Sequence, residues 1–200
     1  RDSAYLAGEY PELDLTYHDF RDSTIANFLP AARELVRRGY YVVRMGATVQ
    51  EPISESIPGV IDYATNGRSE FLDIYLGAKC AFYLGDSCGF HAIPMIFRRP
   101  LAIVNMVPLE YAPTWMANCP FIPKTHWSLA EDRALTFKEI LGNGIGKYLR
   151  TSQYQGADIQ VIENTPDEIT ANAVEMVERL NGSWWGTDYD EDLQRKFWAL

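Results

Sequence analysis

Apolar positions along the chain fall into two alternating rhythms. From Thr24 to Arg38 they recur at Ile25, Phe28, Leu29, Ala32, Leu35 and Val36. This three-and-four spacing lines one side of a helix. Ser23 suits the N-cap, and Gly39 stands just past the end. Pro30 lies too deep for a first-turn proline under that cap, so the helix either starts nearer Asn27 or kinks. Tyr40–Arg44, rich in β-branched and aromatic residues, then reads as a buried strand that Gly46 ends. Gln50–Pro58 reads as a loop. The alternation continues with a strand at Val60–Tyr63, a helix at Ser69–Ala78, a strand at Cys80–Leu84, a helix at Gly89–Phe97 and a strand at Leu101–Asn105. Pro108–Pro123 reads as an ordered irregular loop. Beyond it, the strand Ile159–Ile162 leads to the helix Pro166–Leu180. Thr165 and Glu168 form a capping box there, with Pro166 at the first helical position.

Strands alternating with helices predict a parallel sheet covered on both faces. The expected fold is α/β, a Rossmann-like three-layer domain with a mainly parallel sheet. It would span residues 1–182, with residues 183–200 as an aromatic helical extension. Trp184, Trp185, Tyr189, Phe197 and Trp198 would pack onto the domain or a partner domain. In such folds crossovers are right-handed and ligands sit beyond the carboxyl ends of the strands. The loops after Met45, Ala64, Gly85 and Asn105 are therefore the places to look for chemistry.

Charge and cysteine content narrow the classes. The formal charge of -9 argues against nonspecific nucleic-acid binding, which draws most of its affinity from a basic surface. No run approaches the ~18 apolar residues that a membrane helix needs, and no signal peptide is legible. The first residue is Arg1, which reads as a fragment or a processed chain. Cys80, Cys88 and Cys119 are an odd number without metal spacing and fit reduced thiols of a cytosolic protein. His18, His91 and His126 are far apart, so no metal site is expected.

Three polar segments could carry chemistry. Gly85-Asp86-Ser87-Cys88-Gly89-Phe90-His91 joins a strand to a helix. Small residues let the backbone approach a ligand, and N–H groups at a helix start bind phosphate oxygens. An ordinary cap made by Asp86 or Ser87 explains the same pattern. Tyr17–Ser23 puts His18, Asp19 and Arg21 in one loop before a helix. Arg21 suits a diphosphate clamp, and His18 or Asp19 suits a general base. A solvated loop with Arg–Asp pairing fits equally. Arg44-Met45-Gly46 ends a strand, where Arg44 would face the ligand crevice and Gly46 would permit close approach. The structural alternative pairs Arg44 with Asp62 or Asp86. Arg1-Asp2-Ser3 is either the mouth of a first strand or a frayed terminus. Arg98 and Arg99 end a helix and read as structural.

The stretches Tyr17–Ser23 (YHDFRDS), Arg38–Gly46 (RGYYVVRMG), Ile61–Ala64 (IDYA), Phe71–Cys80 (FLDIYLGAKC) and Phe97–Asn105 (FRRPLAIVN) together resemble a bacterial family assigned as glycosyltransferases and encoded with surface-polysaccharide genes. The likeness runs from Arg1 to about Trp184. That family resembles the carboxy-terminal, donor-binding half of GT-B enzymes. Asp86–His91 is also similar to the DSGxxH loop of heptosyltransferase-like GT-B enzymes, which touches the donor diphosphate. Cys88 intervenes here between Ser87 and Gly89, so this correspondence is approximate.

The resemblance implies metal-independent transfer from a nucleotide-diphosphate sugar to a glycan or lipid-linked acceptor, with no other cofactor. The donor contacts would come from Arg1, Arg44, Gly46, Asp86, Ser87, Cys88, Gly89 and His91. It also implies an amino-terminal partner domain and a cytoplasmic place, at the inner membrane face. A non-catalytic nucleotide or sugar-phosphate binding domain is the alternative. A dinucleotide oxidoreductase is disfavoured, because no glycine fingerprint follows a first strand.

Overall fold

The structure is a computed structural model that describes residues 2–117 and 119–200. The expected donor residue Arg1 lies outside the described residues. The chain opens with helix α1 (Ala4–Glu9), whose first turn is tied by Ala4 N–H donating to Asp2 Oδ1 at 2.9 Å. Two 3-10 turns, Thr16–Arg21 and Ile25–Phe28, lead to α2 (Leu29–Arg37). Then follow β1 (Val42–Val43), β2 (Val60–Ile61), α3 (Glu70–Lys79), β3 (Tyr83–Gly85), α4 (Ala92–Ile96) and β4 (Leu101–Met106). The second half holds β5 (Phe121–Pro123), β6 (Thr125–Ser128), β7 (Arg133–Ala134), α5 (Phe137–Gly142), α6 (Thr151–Gly156), β8 (Ile159–Ile162), α7 (Pro166–Asn181) and α8 (Asp188–Trp198).

The architecture is mixed α/β with small sheets. Strands account for 13% of the residues, about half the usual share. One parallel pair joins β1 to β2. A parallel three-stranded sheet runs β3-β4-β5. The third sheet, β7-β6-β8, is antiparallel. The last finding corrects one expectation: Ile159–Ile162 forms as a strand but pairs antiparallel with Thr125–Ser128 instead of joining the parallel sheet. The segment Lys124–Asp158 supplies β6 and β7, which carry no clear hydrophobic alternation.

The core forms around β4, whose six residues are all buried. Its Val104 packs with Ala31 and Leu35 of α2 and with Ile169, Ala173 and Val177 of α7. On the opposite face Leu101, Ile103 and Met106 meet Ala112, Cys119 and Met95 of α4, and α3 packs on α4. Helices thus cover both faces of this sheet. A third cluster, with Phe20, Ile140, Tyr154 and Ile159, seats the Thr16–Arg21 turn on the antiparallel sheet. At the far side, Phe197 of α8 meets the rings of Phe121 and Phe137 edge-on.

Local sequence chemistry explains several ends. Pro30 falls in the first turn of α2, so the stretch before it is a separate 3-10 turn and not a continuous helix from Thr24. A proline lacks the N–H that only a deeper position would need. Ser69 accepts the Leu72 N–H and caps α3. The capping box of Thr165 and Glu168 opens α7. Asn105 takes a left-handed conformation, φ 52°, inside β4, where the register with β5 shifts. Asparagine tolerates that region better than most residues. Its backbone N–H donates to Asn164 Oδ1 (2.5 Å), and its Oδ1 accepts the Asn164 N–H (2.7 Å). Asn164 Nδ2 reaches Pro123 O at 2.9 Å. This buried clasp ties the carboxyl ends of β4, β5 and β8 together.

Candidate functional site

A cleft of about 770 Å³ separates β1 from β3. Its walls are largely apolar, with Leu35 and Phe28 of the α2 region, Val42 and Val43 of β1, and Phe82 and Leu84 beside β3. Polar side chains gather at one end, where Asp2, Asp22, Ser23, Arg44, Asp86 and Glu163 line it. That end is the carboxyl end of both strands, since Arg44 follows β1 and Asp86 follows β3. Clefts that take small molecules fall in the same volume range, with apolar walls and a few convergent polar groups.

Two loops that are remote in sequence meet at this mouth. Arg21 Nη2 donates to Ser87 O at 2.6 Å. Ser23 Oγ donates to Asp86 Oδ2 at 2.5 Å. Asp86 is itself buried, 6% exposed. The loop after β3 is further held by Tyr83, whose hydroxyl donates to Asp86 O at 2.9 Å and lies 3.5 Å from Cys88 Sγ. The Tyr83 hydroxyl is pushed well above its ordinary range by burial, with the Cys88 thiol adding to the effect. It is therefore a neutral donor. A side chain at Gly85 would collide with the Tyr83 ring, so glycine is needed there to let the tyrosine fold over its own loop.

Arg44 occupies the β1 side of the mouth. Its Nη1 donates to Glu51 O at 2.8 Å and lies 3.4 Å from Asp62 Oδ1, with the side chain only 8% exposed. Asp62 Oδ2 also accepts the Ile53 N–H at 2.8 Å. Arg44 therefore both lines the cleft and pins the loop after β1. The structural pairing with Asp62 and the cleft-lining position coexist. Gly46 does not line the cleft; a Cβ there would lie 2.8 Å from Val49 Cγ1, so its smallness serves the turn.

The remaining expected residues are more scattered. Cys88 lines the cleft. Ser87, Gly89 and His91 do not line it, and Ser87 presents its carbonyl to Arg21. Gly89 and His91 form a 3-10 turn ahead of the five-residue α4, shorter than the expected helix Gly89–Phe97. The His91 ring folds back so that Nδ1 contacts Cys88 O. His18 and Arg21 line a separate, smaller cavity of about 270 Å³ with Tyr17, Phe20, Leu149 and Arg150, and Arg150 lies over the Tyr17 ring at 5.2 Å. Asp19 is exposed and lines neither cavity.

Three groups at or behind the mouth carry no motif in the sequence. Lys124 is 4% exposed, and its Nζ donates to Asp22 O at 2.5 Å. Glu163 accepts Thr24 N–H at 2.9 Å and Asn27 Nδ2 at 3.2 Å. Ser23, which suits an N-cap by sequence, instead bridges to Asp86. Glu163 and Lys124 come from the distal half of the chain, where no local motif marks them. The strand end just before Glu163 is the one signal that could have found it.

Cys80, Cys88 and Cys119 are free thiols. Burial raises the Cys80 thiol and pushes Cys119 up to about 11, so both stay protonated at neutral pH and are poor nucleophiles. No group of three or more metal-binding side chains converges among the described residues, and no described helix is long and apolar enough to cross a membrane. Compared with family models, curated proteins and solved structures, the chain matches none.

Proposed function

We propose that the carboxyl-end mouth of the cleft binds the diphosphate of a nucleotide sugar, and that the chain is the donor-binding half of a metal-independent GT-B-type glycosyltransferase. The observation that carries this reading is the joining of the loop before α2 to the loop after β3 by the Ser23–Asp86 bond at the mouth, with Arg21, which lines the adjacent smaller cavity, docked on Ser87 O. A guanidinium already docked on a small-residue loop needs little reorganisation to meet a phosphate oxygen. Arg44 stands across the same mouth. The fold supports the reading through its order. On this reading the parallel pair β1-β2 and the parallel sheet β3-β4-β5 are two parts of a Rossmann-like arrangement, in which ligands lie beyond the carboxyl ends at the point where the winding reverses. Helices α2 and α7 cover one face of β4, and α4, with α3 packed on it, covers the other, which supports a reversal at this cleft.

In the transfer, an acceptor hydroxyl oxygen forms a bond to the sugar's anomeric carbon as the bond to the diphosphate breaks. The proton leaves to a base, and the two arginines stabilise the departing charge. A base from an amino-terminal domain, or His18 with Asp19, would serve. One observation favours the alternative of a non-catalytic nucleotide or sugar-phosphate binder: His18 faces the smaller cavity and not the main cleft.

A thermal-shift screen with nucleoside diphosphates and their sugars tests binding. A ligand specific for the folded state at 100 times its Kd adds ~2.7 kcal/mol and raises Tm measurably. No shift with any nucleoside diphosphate at millimolar concentration removes the donor reading. Donor hydrolysis or transfer by the chain joined to an acceptor domain, lost in His18→Ala, would separate the enzyme from the binder.

A further inference from the structure

We propose that the smaller cavity beside the Thr16–Arg21 turn is a second ligand site, separate from the cleft, and that it takes a phosphate group, free or on a small monoester. Three segments remote in sequence build it. The turn supplies His18 and Arg21, the stretch before α6 supplies Leu149 and Arg150, and Pro108 follows β4. Pro108 sets the cavity beyond the carboxyl end of a parallel strand, where ligands of α/β sheets gather. The charge of the lining carries the argument. The chain has a formal net charge of -9. Yet two guanidinium groups and an imidazole line this cavity and, among the described residues, no carboxylate does. Elsewhere arginines hold carboxylates, as Arg38 holds Glu34, Arg133 holds Glu139 and Arg179 holds Glu175. Arg150 instead lies over the Tyr17 ring at 5.2 Å, and among the described residues it forms no ion pair. Stacking uses the face of a guanidinium and leaves its in-plane N–H groups for a ligand.

The two segments that carry the arginines are tied to each other without using those guanidinium groups. Thr151 Oγ1, next to Arg150, donates to Thr16 O at 2.9 Å and accepts the Phe20 N–H at 3.4 Å. Gln153 Oε1 accepts the Leu149 and Arg150 N–H groups at 2.8 and 3.0 Å. Beneath them the Phe20 ring packs on Tyr154, 5.1 Å between centroids. A ligand therefore meets cations already in place, and little binding energy goes into ordering them.

Size and charge choose the ligand. The volume of about 270 Å³ falls just below the ~300–1,000 Å³ of pockets that enclose drug-sized ligands. One phosphate on a small body fits, and a whole nucleotide does not. A phosphate monoester carries ~2 negative charges at neutral pH, which two arginines from different segments can share. A carboxylate carries one charge in one plane of oxygens, and a single fork satisfies it. Arg21 lines this cavity while its neighbour Asp22 lines the cleft, so the two sites adjoin through one stretch of backbone. The inference holds whichever ligand the cleft takes.

The test is an amide-resolved NMR titration of the chain with inorganic phosphate, glucose 1-phosphate and acetate at constant ionic strength. Either phosphate should move the Arg21, Leu149 and Arg150 amides along a saturating curve and leave the Val42 and Val43 amides in place. Tighter binding of the ester assigns the site to a monoester, and equal or tighter binding of inorganic phosphate assigns it to the free ion. Acetate should not saturate. Arg150→Gln should weaken the binding at least about tenfold. Leu149 is 49% exposed at the rim, so Leu149→Glu sets a carboxylate there without disturbing the core and should weaken binding as well. Shifts that stay linear with both phosphates overturn the proposal, as does saturation by acetate at the same concentration. Unchanged affinity in both variants also overturns it. No nucleotide enters these readouts, so this site and the donor reading can each fail alone.

Discussion

Strand β4 and the pair of edges at β1 and β3 are built from similar residues and meet opposite fates. Leu101–Met106 is buried along its whole length, paired on both sides and covered on both faces. Tyr41, Val42, Val43 and Leu84 are just as apolar, yet Tyr41 is 82% exposed and the others are only half-buried. The difference lies in neighbours. Each residue of β4 gains from hydrogen bonds on two edges and from helices above and below. The cleft strands have one bonded edge each, and a two-stranded parallel sheet is marginal by itself. Stability in this molecule is concentrated at β4, and the region left open is the one where polar groups converge.

The comparison is most directly broken by cutting into β4. Leu101→Ala removes a fully buried side chain and should cost ~2–5 kcal/mol in urea unfolding. Leu84→Ala, on the half-buried cleft wall, should cost clearly less. Equal losses would mean that the cleft is packed as tightly as the core.

Asn164→Ala should come next. It leaves the buried Asn105 N–H without its acceptor and frees Pro123 O, for a loss of ~1–3 kcal/mol. A denaturant midpoint shift against the wild-type chain measures it.

Beside the mouth, Arg21→Ala should weaken nucleoside diphosphate binding by ~1–3 kcal/mol in calorimetry, and Arg21→Lys should restore only part of it, because an ammonium lacks the planar fork. Unchanged affinity in Arg21→Ala would take the arginine out of the site. Arg44→Ala should also weaken binding, but it breaks the Asp62 pairing as well, so a fall in stability should accompany it.

His126 gives a smaller, pH-dependent signal. The ring is 1% exposed, and burial lowers its pKa below the ordinary 6.5, opposed by the hydrogen bond to Lys124 O. The unfolded chain therefore binds the proton more readily. The stability tied to neutral His126 is present above about pH 6.5 and is lost as pH falls below it. Urea midpoints should drop on acidification through that range, and His126→Gln should flatten the drop. The smallest effect belongs to Tyr41→Thr. Its side chain is exposed, so stability should stay within about 0.5 kcal/mol; a larger loss would mean that Tyr41 is covered in solution.

The sequence by itself determined the elements with strong local signals. Helix α7 follows from a capping box, a first-turn proline and a three-and-four apolar rhythm, all of which act within a few residues. The strands at Val42, Tyr83, Leu101 and Ile159 follow from short apolar runs rich in β-branched or aromatic residues and bounded by glycine, proline or polar residues. Pro30 left a later start near Asn27 or a kink, and the structure starts α2 at Leu29. The loop after β3 and the loop before α2 were legible as polar segments at element ends. Only the tertiary structure decided what those elements did. Periodicity does not encode pairing direction, so Ile159–Ile162 became antiparallel through its partner Thr125–Ser128. Nor does it encode which carboxylate an arginine meets, so Arg44 reached Asp62 and Arg21 reached a carbonyl. Lys124, Glu163 and the Asn105–Asn164 clasp come from residues 22 to 164 brought to one edge, and contacts across such separations depend on how the sheets pack, which no local pattern records.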